Sequence, residues 1–232
     1  VEKKKIQVWV ALTLLALFIG CKNSSVISIL ELTDNLVSIH GKNGTSCYGV
    51  KIGSDRILTA AHCVVFMDGD FDLMDGTDLY KVRSIDFHSQ FFSKFSLGFF
   101  NCLKRLSCSE ADFLKELFKV GLPDFAIIRT FEKFPTWLEL AQVNFSLPLL
   151  YFSNTAKAII EVRTFFVTEP FSLLSYSLIS PICKGSSGLP LLQYEESLKV
   201  VGVASMGLSG CKIFSPSVFS LVDNEVKALS QY

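Results

Sequence analysis

The chain has 232 residues, of which 50% are hydrophobic and 19% charged, and its formal net charge is zero. That length allows one large or two small domains, and so apolar a composition buries a sizeable core and excludes a disordered chain. Without residues 1–20, which hold three lysines and one glutamate, 19 basic residues face 21 acidic ones, and this leaves no electrostatic footprint for nucleic acid.

The first element is an uncharged, mostly apolar run from Ile6 to Gly20 that follows Lys3, Lys4 and Lys5. It is short for a membrane span, which takes about 20 residues, and it fits the hydrophobic region of a signal peptide. The run ends in Phe18-Ile19-Gly20-Cys21, followed by the polar KNSS. This resembles the lipobox of bacterial lipoproteins, where the signal is cut before a cysteine that is lipidated. Gly20 fits the small residue before the cut, and Phe18 departs from the usual leucine. The resemblance implies a signal over 1–20, lipid on Cys21, and a membrane-anchored protein of the bacterial cell envelope, at the periplasm or cell surface. A plain secretory signal and an uncleaved anchor are the alternatives, and both also lead out of the cytoplasm.

From Cys21 onward, short apolar runs are bounded by Gly, Ser, Asn, Asp and Pro. Val26–Leu30, Leu36–His40, Tyr48–Ile52, Leu79–Ile85, Phe125–Thr130, Ala158–Phe166, Leu189–Gln193, Lys199–Val203 and Val218–Val222 read as strands. Many short strands with frequent turns predict an all-β sandwich or barrel. A helix is predicted to start at Ser109 and end at Gly121 and Pro123, and another runs from about Asp223 to Ser230. Phe91–Cys108 is unusual for its clustered phenylalanines; packing in the core or under a long loop is the default reading, with contact to the membrane or to a partner as the alternatives. Pro135–Pro148, with two prolines and no clean period, reads as a link between two halves.

Seven cysteines occur, at 21, 47, 63, 102, 108, 183 and 211. With Cys21 assigned to lipid, six remain, enough for three disulfides among 15 pairings, as an oxidising compartment permits. Cys102 and Cys108 are close enough in sequence to staple their segment to itself. There is no C-x-x-C pair and the three histidines are scattered, so no metal site is predicted. No organic cofactor is predicted either.

The stretch CKGSSGLPLL (183–192) holds two serines between glycines. A serine nucleophile needs a base, and the base needs a group that fixes its tautomer. The α/β-hydrolase order of Ser, acid, His is excluded, because the last histidine, His88, precedes Ser187. The G-x-S-x-G elbow also fails, at Leu189. The order His, Asp, Ser remains, with His62, Asp124 and Ser187. His40 and His88 lie in no motif and read as histidines satisfied within the fold.

ILTAAHCV (57–64) closely matches the histidine motif of chymotrypsin-like, trypsin-fold serine proteases, and CKGSSGLPLL resembles their serine motif. PDFAIIR (123–129) resembles the aspartate motif, while VGVASMG (201–207) and GCKIFSPSVFSLV (210–222) resemble the strands that wall the substrate pocket. The resemblance spans about residues 36–222. It implies two six-stranded Greek-key β-barrels with a short C-terminal helix. The first barrel, in 21–134, would carry His62 and Asp124, and the second, in 135–232, would carry Ser187. His62 would be general base and then acid, Asp124 its partner, Ser187 the nucleophile, and the N–H groups of Gly185 and Ser187 the oxyanion hole. Pro181 and Ile182 fall at the base of the primary pocket, with Ser205, Gly207 and Ser217 on its walls. An aspartate for binding Lys or Arg is missing there, so apolar or small side chains are expected. The family's bridges imply Cys47–Cys63 and Cys183–Cys211, which leaves Cys102–Cys108 inside an insertion that the family does not share.

Two departures stand out. Ser186 occupies the position of the aspartate that pairs with a freed N-terminal amine in zymogen-type members, and no I-V-G-G-like start is found. Together these imply an enzyme active without activation cleavage. Leu189 replaces the second glycine of the serine motif but removes no catalytic atom. The expected function is a serine endopeptidase acting on protein or peptide. The alternative is a catalytically silent relative that uses the fold for binding or adhesion.

Overall fold

Alternating apolar and polar residues make strands with one buried face, and the chain from Leu36 follows this pattern. The computed structural model describes residues 29–67, 70–104, 109–153, 158–168, 172–176, 183, 185–207 and 217–231. It is 43% strand and 22% helix. Ahead of the main unit, Asn35–Tyr232, a helical turn α1 spans 29–33, with the Asp34 N–H donating to Leu30 O at 3.1 Å. The strand predicted over Val26–Leu30 is thus helical at its described end, because the bonds close locally.

The first sheet holds β1 (Leu36–Gly41), β2 (Ser46–Gly53), β3 (Arg56–Thr59), β4 (Phe71–Asp75), β5 (Asp78–Tyr80), β6 (Val82–Phe87) and β7 (Ala126–Thr130). Their spatial order is 5-4-1-2-3-7-6 and every pairing is antiparallel. The second holds β8 (Glu139–Leu140), β9 (Leu149–Ser153), β10 (Ala158–Thr168), β11 (Ser172–Tyr176), β12 (Pro190–Tyr194), β13 (Leu198–Gly207) and β14 (Ser217–Leu221). Its order is 12-9-10-11-14-13-8, with β12 also paired to β13. The architecture is antiparallel β with a sheet curled into a half-barrel.

Each sheet has seven strands, where six were expected. In the first, the hairpin at Asp75–Asp78 adds β5 to the edge. In the second, β8 lies parallel to β13 through Glu139 and Val200 and their neighbours. The predicted strand over Leu79–Ile85 is two strands broken at Lys81, where the ladder changes partner from β4 to β7. The predicted link over 135–148 is docked: Leu138 N–H donates to Lys51 O at 3.0 Å and Leu138 is buried.

Helices punctuate the sheets. α2 (Ala61–Phe66) follows β3, and α3 (Phe91–Leu103) with α4 (Glu110–Lys119) is inserted between β6 and β7. The segment read as a loop at 91–108 is therefore helical over most of its length. α4 begins as expected, with Ser109 Oγ accepting the Asp112 N–H at 3.2 Å. At the C-terminus α5 (Asn224–Leu229) is capped by Asp223, whose Oδ1 accepts the Val226 N–H at 2.9 Å.

Asp223 also ties α5 to the first sheet. His88, 1% exposed at the end of β6, donates from Nε2 to Asp223 Oδ2 at 3.1 Å, while its Nδ1 accepts the Gln90 N–H at 3.2 Å. Ser89 reinforces the junction through bonds of 2.6 and 2.8 Å to Glu225. His88 is therefore a satisfied structural histidine, and His40 is exposed at the sheet surface. Replacing a buried, doubly bonded group costs about 1–3 kcal/mol. We expect His88→Leu to lose about that much in chemical denaturation; unchanged stability would show that the junction does not hold α5.

Candidate active site

The site is built around a carboxylate with no exposed surface. Asp124 sits just ahead of β7, where Pro123 and the preceding turn deliver it to the N-terminus of α2. Ala60, the N-cap of α2, offers no side-chain bond. Asp124 takes over that role: its Oδ1 accepts the His62 N–H at 2.8 Å, and its main-chain O accepts the Ala61 N–H at 3.2 Å. The other carboxylate oxygen accepts the His62 Nδ1–H at 2.6 Å and the Ser205 hydroxyl. With Nδ1 holding its proton toward Asp124, Nε2 is the free base nitrogen. The His62 side chain is 19% exposed.

These contacts set the ionisation. Burial opposes the Asp124 charge, but the charge of His62 and the bonds from His62 and Ser205 outweigh it and hold the carboxyl below its usual 3.8. For His62, burial pushes the pKa down, yet the Asp124 charge and bond win and leave it above 6.5. The depressed carboxylate contributes stability that is present above 3.8 and lost as pH falls through its folded value. The raised imidazole contributes stability that is complete below 6.5 and lost as pH climbs through its folded value. Both contributions are therefore complete between 3.8 and 6.5 and fade beyond that window as the folded groups titrate.

The serine loop reaches this pair by backbone geometry. Ser187 O accepts the Tyr48 N–H of β2 at 2.8 Å, and the Gly188 N–H donates to Ala204 O of β13 at 2.7 Å. Gly188 has a φ of 84°, and a Cβ there would lie 1.8 Å from Tyr48 O, so only glycine lets the loop lie this close to β2. Gly185, with φ of 85°, makes the turn ahead of the serine. Among the described residues no acceptor takes the N–H of Gly185 or Ser187, which leaves both donors open. Ser186 bonds back onto the loop: its N–H donates to Cys183 O at 2.9 Å and its Oγ accepts the Cys183 N–H at 3.4 Å. Leu189 is buried and enters the strand through the Ala204 N–H.

His62, Asp124 and Ser205 are thus joined directly. Ser187 Oγ donates to Ser205 O at 3.3 Å rather than to His62 Nε2, and Nε2 stands 3.7 Å from Cys63 Sγ. Ser217 is buried on β14, opposite Gly207 of β13. Cys47 and Cys63 form a disulfide. Cys102 and Cys183 are each in a disulfide of their own, while Cys108 and Cys211 lie outside the described residues, as do Cys21, Pro181 and Ile182. Cys47, His62 and Cys63 are the one group among the described residues with three clustered metal-ligating atoms. The two sulfurs are bonded to each other, so no thiolate is left to ligate.

The sequence reading missed Ser220. Its hydroxyl accepts the Asp124 N–H at 3.1 Å, which fixes the aspartate from β14. A hydroxyl in a strand buried along all five residues is the only signal that could have found it. No protein-family model matches the chain, and no curated protein matches it.

Because burial alone lowers the His62 pKa, the partner charge must be what raises it. Asp124→Asn should move the His62 titration from above 6.5 to below it, read by the imidazole resonances in NMR. A titration unmoved by the substitution would mean that Asp124 does not set the base.

Proposed function

We propose that this chain is a serine endopeptidase of the trypsin-like type, with the two sheets as its two barrels and His62, Asp124 and Ser187 as its triad. The observation that carries the reading is the buried Asp124 carboxylate, which orients His62 so that its base nitrogen is free. In the proposed reaction Ser187 Oγ attacks the scissile carbonyl carbon as its proton passes to His62 Nε2. The carbonyl oxygen becomes negative and takes the N–H groups of Gly185 and Ser187, each such donor being worth about 3–4 kcal/mol. The tetrahedral carbon then expels the amine, which receives the proton from His62. Water, activated by the same nitrogen, releases the acyl group and restores Ser187.

This chemistry needs the Ser187 hydroxyl to turn from Ser205 O toward His62. Catalytic hydrogen bonds often form or tighten only once substrate is bound. The same bond to Ser205 O favours a second reading, a silent relative that binds without cutting. A fluorophosphonate probe separates the two. We expect it to label the intact chain and to spare Ser187→Ala and His62→Ala; a folded chain that stays unlabelled would establish the binding protein.

For specificity we propose cleavage after apolar or small residues, since Pro181 and Ile182, at the expected base of the pocket, bring no carboxylate to bind Lys or Arg. A peptide library should show Phe, Leu or Ala ahead of the cut bond, and efficient cleavage after Arg would overturn this. Ser186, bonded to Cys183, supports a loop that holds its shape without a buried carboxylate–amine pair. Activity should therefore not rise when a free amine is created by trimming, and a many-fold increase would contradict it. Export and lipid attachment at Cys21 complete the proposal and rest on the residues before α1.

A further inference from the structure

Single exposed apolar side chains are ordinary on a protein surface, but on α3 they are grouped. Phe92, Leu97, Phe99, Phe100 and Leu103 each keep 47–60% of their surface exposed. The spacing of Phe92, Phe99, Phe100 and Leu103 gathers them on one side of the helix, away from buried Phe91, Gly98 and Cys102. Between Phe91 and Lys104 there are two lysines and no acidic residue.

This face is continuous with the candidate active site. The Phe66 ring, at the end of α2 and 51% exposed, lies 5.9 Å from the His62 ring and 6.3 Å from Phe95. Phe95 and Phe99 both meet Phe113 of α4, at 5.7 and 6.2 Å, and Phe99 meets Phe100 at 6.2 Å. A path of aromatic rings thus runs from the imidazole to the outer face of α3.

We propose that this path is a docking surface for an apolar stretch of the polypeptide substrate, lying beyond the residues that flank the cut bond. The identity of the partner rests on the peptidase reading. The path starts beside His62, so a bilayer laid over Phe66 would cover the base, whereas a substrate chain bound at His62 can continue along the rings. An extended chain advances about 3.3 Å per residue and reaches Phe95 roughly four residues from the bond. Lys94 and Lys104, with no carboxylate near them on α3, favour a stretch with neutral or acidic flanks over a basic one.

The test uses the full chain carrying Ser187→Ala, with a fluorescent peptide that bears a Leu/Phe stretch, read by anisotropy. We expect the peptide to bind, and to bind about tenfold more weakly when Phe92→Ser and Phe100→Ser are added, as lost apolar burial requires. Phe92→Leu with Phe100→Leu should retain most of the affinity, and circular dichroism should show all three chains folded. Equal binding by the serine and phenylalanine chains would overturn the proposal. So would adsorption to phosphatidylcholine–phosphatidylserine vesicles that depends on these two phenylalanines while peptide binding does not. Fluorophosphonate labelling of the active chain is read in parallel. A labelled chain that binds no peptide sinks the docking surface alone, and a peptide-binding chain that takes no label sinks the peptidase alone.

Discussion

A carboxylate removed from water stays charged only if donors replace the water on every side. Asp124 meets that condition with donors from two places, the His62 N–H and ring from α2 and the Ser205 hydroxyl from β13, while its own main-chain N–H donates to the Ser220 oxygen from β14. One residue therefore caps the helix that carries the histidine, selects the tautomer of its ring and joins the first sheet to the second. Removing its carboxylate would free the His62 N–H at the start of α2, leave the His62 ring without orientation and strand the Ser205 hydroxyl in the interior. The rest of the site is arranged around satisfying that one charge.

The serine loop depends on the first sheet in a different way. Nothing in it is held by charge; it is positioned by the backbone of Tyr48 and by the absence of a side chain at Gly188. Thr59, at the end of β3, donates its hydroxyl to Tyr48 O at 2.6 Å and so holds the strand against which the loop is laid. The Cys47–Cys63 disulfide joins the start of the same strand to the helix of His62. Base and serine thus hang from β2, one through a covalent bond and the other through a backbone hydrogen bond. A shift of β2 moves them together.

This explains which parts of the molecule could be read from letters. Thr59-Ala60-Ala61-His62-Cys63 was legible because each residue type is needed: the hydroxyl bonds Tyr48, both alanines have no exposed surface, and the cysteine is bridged. Asp124 was legible from its place ahead of an apolar strand. The bond from the Tyr48 N–H to Ser187 was not, since every residue but proline has that donor and the side chain leaves no trace of it. α2 escaped because six residues are too few to show a helical period. The crowded phenylalanines of α3 point inward and outward in turn, so composition alone suggested packing under a loop. The strand count failed at the edges, where β5 and β8 are short and add little to any pattern.

The arrangement also weighs between the two readings of the site. The Asp124 carboxylate caps α2 and links the sheets in either reading, but apolar residues of the same volume would be as stable or more so, since an ion pair in the interior roughly breaks even at best. Such a pair is useful where a base must be held in one tautomer and its protonated form stabilised during a reaction. Asp124 holds the Nδ1–H tautomer, and its charge and hydrogen bond raise the His62 pKa, as the proposed general base would require. The bond from Ser187 to Ser205 O is weak in comparison: a 3.3 Å contact from a neutral hydroxyl is a small barrier to rotation. Under the peptidase reading we propose, the charge held at His62 and the weak bond on the Ser187 hydroxyl would leave that hydroxyl available for reaction.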